Sequence, residues 1–456
     1  MENFFHSEKR PNVIWVVVDQ MRAQAMGFMG DCNVRTPNLD NMAREGVVFR
    51  NAVSGTPWCC PFRGSLLTGL YAHKNGVTQT PKALDPTIPT ITKPFKDSGY
   101  HTAWVGKWHL DGSNYVTHYI PKERRGGFDY FMGYENNNNQ NECYVFGNDC
   151  EKPQRLKGYE TDELTKMFLN HIENHVTEKE DYDPFFAVLS VQPPHDPYVT
   201  PYDTDGSFKY YKNPENIKLR HNVPPGVWSQ TAKNDLAGYY GMIENIDTNM
   251  GIIRNKLAQL NIDRETYVVF MSDHGDCLYS HGQQHKSSPW EESIRIPFIV
   301  SRVGGNCHMN LKNTNAMLNH IDIAPTTLGL CGIEVPNDMV GYDFSSQCVS
   351  KSNECYKENS KPEPTAAYLQ QIPRKYHKHV INKQWRGVVT QDGYKYVCCP
   401  NHEVFMFNLN DDPFEMSNLC FDTFYNDKKE ELHKLLKDFI TDTEDSFELP
   451  DISLQR

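Results

Sequence analysis

Four apolar runs, each ending on a small knot of polar residues, constrain this chain more than any other feature. Val13-Ile14-Trp15-Val16-Val17-Val18 runs into Asp19-Gln20, and Tyr100-His101-Thr102-Ala103-Trp104-Val105 into Gly106-Lys107-Trp108-His109. Phe185-Phe186-Ala187-Val188-Leu189-Ser190-Val191 leads to Pro194-His195-Asp196, and Tyr267-Val268-Val269-Phe270-Met271-Ser272 to Asp273-His274-Gly275. Continuous apolar runs of this length read as strands buried on both faces, as in parallel sheets. Ile296-Pro297-Phe298-Ile299-Val300 is a fifth run. A helix opens at Thr36 to Ala43 with Val47-Val48-Phe49 behind it, and helical stretches cover Asp162 to Asn174 and Leu236 to Leu257. This alternation predicts an α/β fold with a large, mostly parallel central sheet flanked by helices. Open sheets of this kind bind ligands beyond the carboxyl ends of their strands. The four polar clusters are therefore expected to converge on one site.

Near residue 345 the composition shifts. Ser345 to Thr365 is polar and rich in Ser, Lys, Glu and Pro, which reads as a linker or exposed loop over 346–365. Beyond it come two short alternating segments, Trp385-Arg386-Gly387-Val388-Val389-Thr390 and Tyr394-Lys395-Tyr396-Val397. A turn at Asn410-Asp411-Asp412-Pro413 precedes a helical stretch from Asp427 to Thr441. The expectation is a catalytic α/β unit over 1–345 and a small C-terminal antiparallel sheet with a helix over 366–456.

The 456 residues suffice for one large domain or two. No apolar run approaches the roughly 20 residues of a membrane helix. The N-terminus lacks the apolar stretch of a secretory signal, so the chain reads as cytoplasmic, with a secreted form whose signal has been removed as the alternative. Thirteen cysteines are scattered without a repeating framework and read as mostly free thiols. Cys143 and Cys150 can close a small loop, and Cys398-Cys399 is an adjacent pair. A net charge of −12 without a basic run argues against nucleic acid. It does not argue against an anionic small molecule, whose site needs only a few converging cations.

The segment Cys59-Cys60-Pro61-Phe62-Arg63-Gly64-Ser65-Leu66-Leu67-Thr68-Gly69 is a poor metal-binding pattern and a poor disulfide pattern. Pro61 fixes φ and lacks an N–H, which suits a bend into a helix, and an arginine one turn on faces back toward Cys59. Asp19, Asp273 and His274 form a donor set for a divalent cation, against the plainer reading of a strand-end Asp as a helix cap. In an extended segment alternate residues point the same way, so Lys107 and His109 are expected to face one pocket while Trp108 packs elsewhere. His195 offers an imidazole that titrates near neutrality, and Lys286 in His281-Gly282-Gln283-Gln284-His285-Lys286 a further cation.

These motifs, in matching order from about Asn12 to Leu419, resemble the sulfatase family, the formylglycine-dependent enzymes of the alkaline phosphatase superfamily. The resemblance implies that Cys59 is oxidised by a maturation enzyme to Cα-formylglycine, which becomes the nucleophile. It implies a Ca2+ ion held by Asp19, Gln20, the converted Cys59, Asp273 and His274. Gln20 stands where many relatives have Asp, and His274 where many have Asn, which leaves Mn2+ or Mg2+ as alternatives. By the same resemblance Arg63 and Lys107 contact the sulfate, and His109 takes a proton when sulfate is expelled. His195 and Lys286 bind the ester oxygen and aid departure of the alcohol. Phe62 departs from the usual Ser or Ala, and the stretch from Asn136 to Leu156 matches no family element and reads as a specificity loop. The implied activity is hydrolysis of a sulfate ester of a small sulfated carbohydrate, with aryl sulfates as model substrates. A phosphonate monoester or phosphodiester hydrolase of the same superfamily is the alternative, although those enzymes generally lack the Lys and His of the Gly-Lys-Trp-His element. A non-catalytic binding protein on the same scaffold would require Cys59 to stay unmodified.

Overall fold

The structure is a computed structural model that describes residues 10–148, 150–179, 181–202, 206, 209–302, 312–349, 361–373, 380–381, 383–400 and 404–451. The strands are β1 (Asn12–Val18), β2 (Val47–Phe49), β3 (His101–Lys107), β4 (Tyr130–Tyr134), β5 (Tyr144–Gly147), β6 (Cys150–Arg155) and β7 (Phe185–Ser190). They continue with β8 (Thr266–Ser272), β9 (Phe298–Arg302), β10 (Lys312–Thr314), β11 (Ala366–Gln371), β12 (Trp385–Thr390), β13 (Tyr394–Cys398) and β14 (Val404–Asn408). The helices of eight residues or more are α1 (Pro37–Glu45), α2 (Cys59–Thr68), α3 (Glu160–Thr177), α4 (Val227–Gln259), α5 (Ile323–Leu330) and α6 (Asn426–Asp442).

Among the described residues, ten strands form one sheet in the order β10-β2-β9-β8-β1-β7-β3-β4-β5-β6. Its centre, β8-β1-β7-β3-β4, is parallel throughout. The fold is α/β as the alternation predicts. The β1 segment is buried along its whole length, its odd residues (Val13, Trp15, Val17) packing into one apolar layer and its even ones (Ile14, Val16, Val18) into the other. A strand covered on both faces has no polar face to show, hence the unbroken apolar run. The Ile296–Val300 run becomes β9, which pairs antiparallel to β8. Strands β4, β5 and β6 extend the sheet beyond β3, so the stretch read as a specificity loop is in large part an antiparallel edge of the sheet.

The second sheet, β11-β12-β13-β14, is antiparallel and carries α6 against it, as expected of the C-terminal region. In the 346–365 segment, residues 350–360 lie outside the described residues; before them Ser345–Cys348 forms a helical turn. The ten described cysteines whose side chains are placed are all free thiols, Cys143 included, so the small-loop bridge to Cys150 is not made. Arg386 and Lys395 are buried on partners: Arg386 on Asp445, at 2.7 and 2.9 Å, and Lys395 on Pro289 O, Glu291 and Glu415.

One glycine is dictated by the pairing. Gly106 lies opposite Ser190 with φ +107°, and a Cβ placed there would sit 1.9 Å from the Ser190 carbonyl oxygen. Only a residue without Cβ permits that approach. Gly106→Ala is expected to cost at least about 3 kcal/mol through clash and backbone strain together. Urea unfolding checks this; a cost below about 1 kcal/mol would show that β3 can move away from β7 at this point.

Candidate active site

The carboxyl ends of β1, β3, β7 and β8 meet the N-terminus of α2. That helix starts at Cys59, with Trp58 before it in extended conformation and Pro61 in its first turn, where a missing N–H costs nothing. All ten of its residues are buried, so it is a core helix and not a surface one. Gly69 ends it in the left-handed conformation, its N–H donating to Ser65 O at 2.8 Å. Cys59 and Arg63, four residues apart, share a face. Phe62 turns the other way and stacks on His320 at 5.4 Å, so its bulk stays out of the site.

Cys59 Sγ lies 3.6 Å from Asp19 Oδ1 and 3.2 Å from His274 Nε2. Asp19, Cys59, Asp273 and His274 each offer a ligand atom within 4.8 Å of the others, and all four are buried. Lys107 Nζ donates to Asp19 Oδ2 at 2.6 Å. Arg63 donates to Lys107 O at 3.0 Å and Ser190 Oγ at 2.9 Å, and its other terminal nitrogen lies 3.4 Å from Asp19 and 3.6 Å from Asp273. Asp19, Arg63 and Lys107 have no solvent exposure.

This crowding sets the charge states. Burial and the Cys59 sulfur oppose ionisation of Asp19, but Lys107, His195 and His274 prevail and hold it well below the usual carboxylate range. Asp273 is instead pushed up to about 7, by burial and then by Asp19. Its Oδ2 accepts no hydrogen bond. Burial works against charge on His274, yet Asp273 and Cys59 raise it. His274 Nδ1 donates to Gly275 O at 2.9 Å, which turns Nε2 toward the cluster. Fixing one ring nitrogen on a carbonyl is how a ligating histidine is usually oriented. Two carboxylates shifted in opposite directions, a carboxylate oxygen that accepts no hydrogen bond and an oriented imidazole together fit the divalent cation the resemblance implies.

His109 is 3 % exposed with φ +58°, and neither ring nitrogen has a hydrogen-bond partner. Burial and Lys107 lower it to about 4, so it stands neutral, able to accept a proton. The expected alternation along an extended segment stops at Lys107. A left-handed turn brings His109 round instead, held by Glu135, whose carboxylate accepts from the N–H groups of Leu110, Asp111 and Ser113 at 3.0 to 3.2 Å. Trp108 packs edge-on against Trp104 at 5.1 Å, as expected.

On the far side of the site, Lys286 Nζ donates to His195 Nε2 at 2.7 Å, and His195 Nδ1 donates to Asp196 O at 2.7 Å. Gln20 joins this pair to the strand end. Its backbone N–H donates to Asp273 Oδ1 at 3.0 Å. Its amide nitrogen donates to Asp276 at 2.7 Å and Asp196 at 3.1 Å, which leaves the amide oxygen facing the Lys286 ammonium. Every residue singled out in the sequence thus reaches one site, with the Gln20 side chain engaged by Lys286, Asp196 and Asp276. Sequence reasoning placed Asp196 in a converging cluster without giving it a role, and it missed Ser190, Asp276 and Glu135. It also missed the C-terminal sheet's hold on the Lys286 loop, where Trp385 Nε1 donates to Ser287 O at 3.1 Å and Lys395 to Pro289 O at 2.6 Å. Those links join residues about 100 positions apart and leave no local pattern.

The neighbouring cysteines separate cleanly. Burial opposes ionisation of both, but Lys286, Lys107 and His274 draw Cys59 well below an ordinary thiol, while Cys60 is pushed up to about 12 by burial and by Cys59. In metal-free protein whose Cys59 is unconverted, iodoacetamide should label Cys59 below pH 7 and leave Cys60 untouched. Peptide mass spectrometry checks this, and parallel labelling of the two would contradict the charge assignment.

Comparison with known proteins agrees with this geometry. The sulfatase family model matches residues 11–333, and a model of the C-terminal region of N-sulphoglucosamine sulphohydrolase matches 280–442. The chain is 32 % identical over 433 residues to an ulvan-active sulfatase of Formosa agariphila, covering 94 % of this chain and 81 % of that protein. It is 28 % identical to an endo-4-O-sulfatase of Bacteroides thetaiotaomicron, covering 95 % and 92 %. A solved structure from work on the metabolism of multiple glycosaminoglycans by Bacteroides thetaiotaomicron superposes with a TM-score of 0.82 at 26 % identity, covering 96 % of this chain and 97 % of that one. With the family model spanning most of its length and its strand-end residues gathered as described, the chain belongs to the sulfatase family and is a sulfuric ester hydrolase.

Proposed function

We propose that the enzyme hydrolyses sulfate esters of carbohydrates, with position 59 converted to formylglycine and a divalent cation held by Asp19, Asp273, His274 and the converted residue, while the Gln20 amide oxygen faces Lys286. The observation that carries this reading is the buried meeting of Cys59, Asp19, Asp273 and His274 at the N-terminus of α2, with Arg63, Lys107 and Lys286 around it. The Cys59 sulfur stands where the converted residue's oxygen would be. When present, the two groups supply an oxygen nucleophile for sulfur and a Lewis acid that withdraws charge from the sulfate. Ca2+ is the first choice for a set with two carboxylates, with Mn2+ or Mg2+ as the alternatives because His274 is a softer donor.

The chain's own residues do the rest. The α2 N-terminus and the Arg63, Lys107 and Lys286 cations offer the singly charged sulfate ester fixed positive charge among buried side chains, where such charge acts most strongly. With Cys59 unconverted, burial works against charge on Lys286, but Cys59, Asp19, Asp196 and Asp273 raise it above an ordinary lysine. Lys286 donates to His195 at 2.7 Å, and this pair is the source of the proton for the departing alcohol. His109, neutral and unbonded, is placed to take a proton from the converted residue as sulfate leaves. Carbohydrate as the alcohol is supported by the relatives, described as an ulvan-active sulfatase, an endo-4-O-sulfatase and an N-acetylglucosamine-6-O-sulfatase. The phosphonate alternative gains no support from the site, since Lys107 and His109, the two residues that set it apart, are both in place.

Enzyme co-expressed with a maturation enzyme is expected to release sulfate from sulfated sugars and from 4-nitrophenyl sulfate. Cys59→Ala should reduce release to background, and EDTA should abolish it until Ca2+, Mn2+ or Mg2+ is returned, the best restorer identifying the ion. His195→Ala should slow a sugar sulfate about 10²- to 10⁴-fold, the usual worth of proton delivery, and slow the aryl ester far less because nitrophenolate leaves without a proton. Preference for phenylphosphonate over every sulfate ester, or equal losses on the two esters in His195→Ala, would refute these assignments.

A further inference from the structure

The leaving-group side of the site continues outward along one line of contacts. From the His195–Lys286 pair it passes to Asp196, whose Oδ1 lies 3.3 Å from His285 Nδ1. Asp196 is about a third exposed and His285 about a fifth, so this is where the buried cage opens to solvent. The loop that carries His285 turns back through backbone bonds, Cys277 N–H to His285 O and Tyr279 N–H to Gln283 O, each 2.7 Å. Tyr279 O–H donates to Asp235 on α4 at 2.6 Å. The Asp235 carboxyl is half-buried and close enough to Asp276, His285 and Asp196 to feel their charges. Trp228, in the first turn of α4, stacks on Tyr279 with ring centres 6.2 Å apart, and 47 % of it remains exposed. Tyr211 donates to Asn234 O from the other flank of Asp235 and is 40 % exposed.

Two large aromatic side chains so exposed, flanking a carboxylate, call for an explanation. An exposed Trp beside Val227, itself 88 % exposed, leaves apolar surface in water. Aromatic faces with a hydrogen-bond acceptor at their edge match a pyranose, which has an apolar C–H face and a rim of hydroxyl donors. The patch has a fixed distance from the chemistry. Tyr239, farther along α4, donates to Gln20 O at 3.1 Å. Trp228 precedes it by eleven residues, about 16 Å along a helix. That is beyond the sugar bearing the sulfate and within reach of an oligosaccharide.

We infer that Trp228, Tyr211 and Asp235 form a sugar-binding subsite on the leaving-group side, which takes a pyranose ring of an oligosaccharide some residues removed from the sulfated one. This rests on the sulfatase reading and adds to it that the enzyme prefers oligosaccharides to monosaccharides. The sulfate cage fixes the ester, and the outer platform fixes the chain to which it belongs.

The test compares wild type, Trp228→Ala and Trp228→Phe, all matured, on sulfated monosaccharides, on 4-nitrophenyl sulfate, and on sulfated tetrasaccharides from digests of ulvan, chondroitin sulfate and heparin. On the tetrasaccharide that wild type hydrolyses best, Trp228→Ala should raise KM about three- to tenfold, the worth of one aromatic contact, with kcat unchanged. Trp228→Phe should recover most of the loss. The rise should be absent for the monosaccharide and the aryl ester, which end short of the platform. An unchanged KM on the tetrasaccharide would overturn the subsite and leave the sulfatase reading standing, as would an equal rise on all three substrates or a wild type that hydrolyses only monosaccharides. A wild type that releases sulfate from none of them would remove the sulfatase reading and the subsite with it.

Discussion

Everything in this structure is arranged around the repulsion between Asp19 and Asp273. Two carboxylates with no solvent exposure share a corner with the Cys59 sulfur. Left alone, such a group would protonate or open to water. Here Lys107 and Arg63 neutralise Asp19, while Asp273, 3.6 Å from the same Arg63, rises to about 7 with one oxygen that accepts no hydrogen bond. A divalent cation would draw on that oxygen, and His274 is already turned to share in holding one.

The scaffold explains why these groups cannot separate. Three of the carrying strands pair in register at the centre of the sheet: Val17 faces Ser190 on one side and Met271 on the other, two residues before Asp19 and Asp273. The helix that brings Cys59 is sealed in the core along its whole length, and its arginine reaches across to β3 and β7. Among the described residues, the small C-terminal sheet contributes no side chain to the cage. It grips the segment after Lys286 through Trp385 and Lys395, and Lys395 is itself neutralised by Glu291 and Glu415. Five residues in that loop, Leu278, Tyr279, His281, His285 and Ser287, have φ between 40° and 73°. Left-handed geometry at residues with a Cβ is unfavourable and is kept here by packing from both sheets.

Much of this was legible in the amino-acid order. Strands β1, β3, β7 and β8 announce themselves as unbroken apolar runs because both their faces are covered. The polar knots after them then had one place to go. Cys59 and Arg63 were readable as one helical face. What was not legible depended on backbone conformations that side-chain patterns do not record. His109 comes to the site by a left-handed turn and not by strand alternation, because Glu135, on the next strand over, gathers the N–H groups that follow it. Gln20 was placed at the metal by the family resemblance, and what the sequence did not show is where its amide nitrogen goes. Asp196 and Asp276 capture its amide nitrogen from two other strand ends, a contact between residues 176 and 256 positions apart. Strands β4 and β5 were missed because they are only five and four residues long, and β6 because an edge strand mixes polar with apolar residues and breaks the run.

The central claim is that this buried corner works only after Cys59 has been oxidised to an aldehyde, and one measurement reaches it directly. Preparations matured to different extents can be analysed by mass spectrometry of the peptide that carries Cys59 and assayed in parallel for sulfate release. Conversion replaces the thiol by an aldehyde and lightens the peptide by about 18 Da at the nucleophile position. The account predicts that activity rises in proportion to the converted fraction and extrapolates to zero where conversion is zero. Full activity from protein in which Cys59 is wholly unmodified would contradict it.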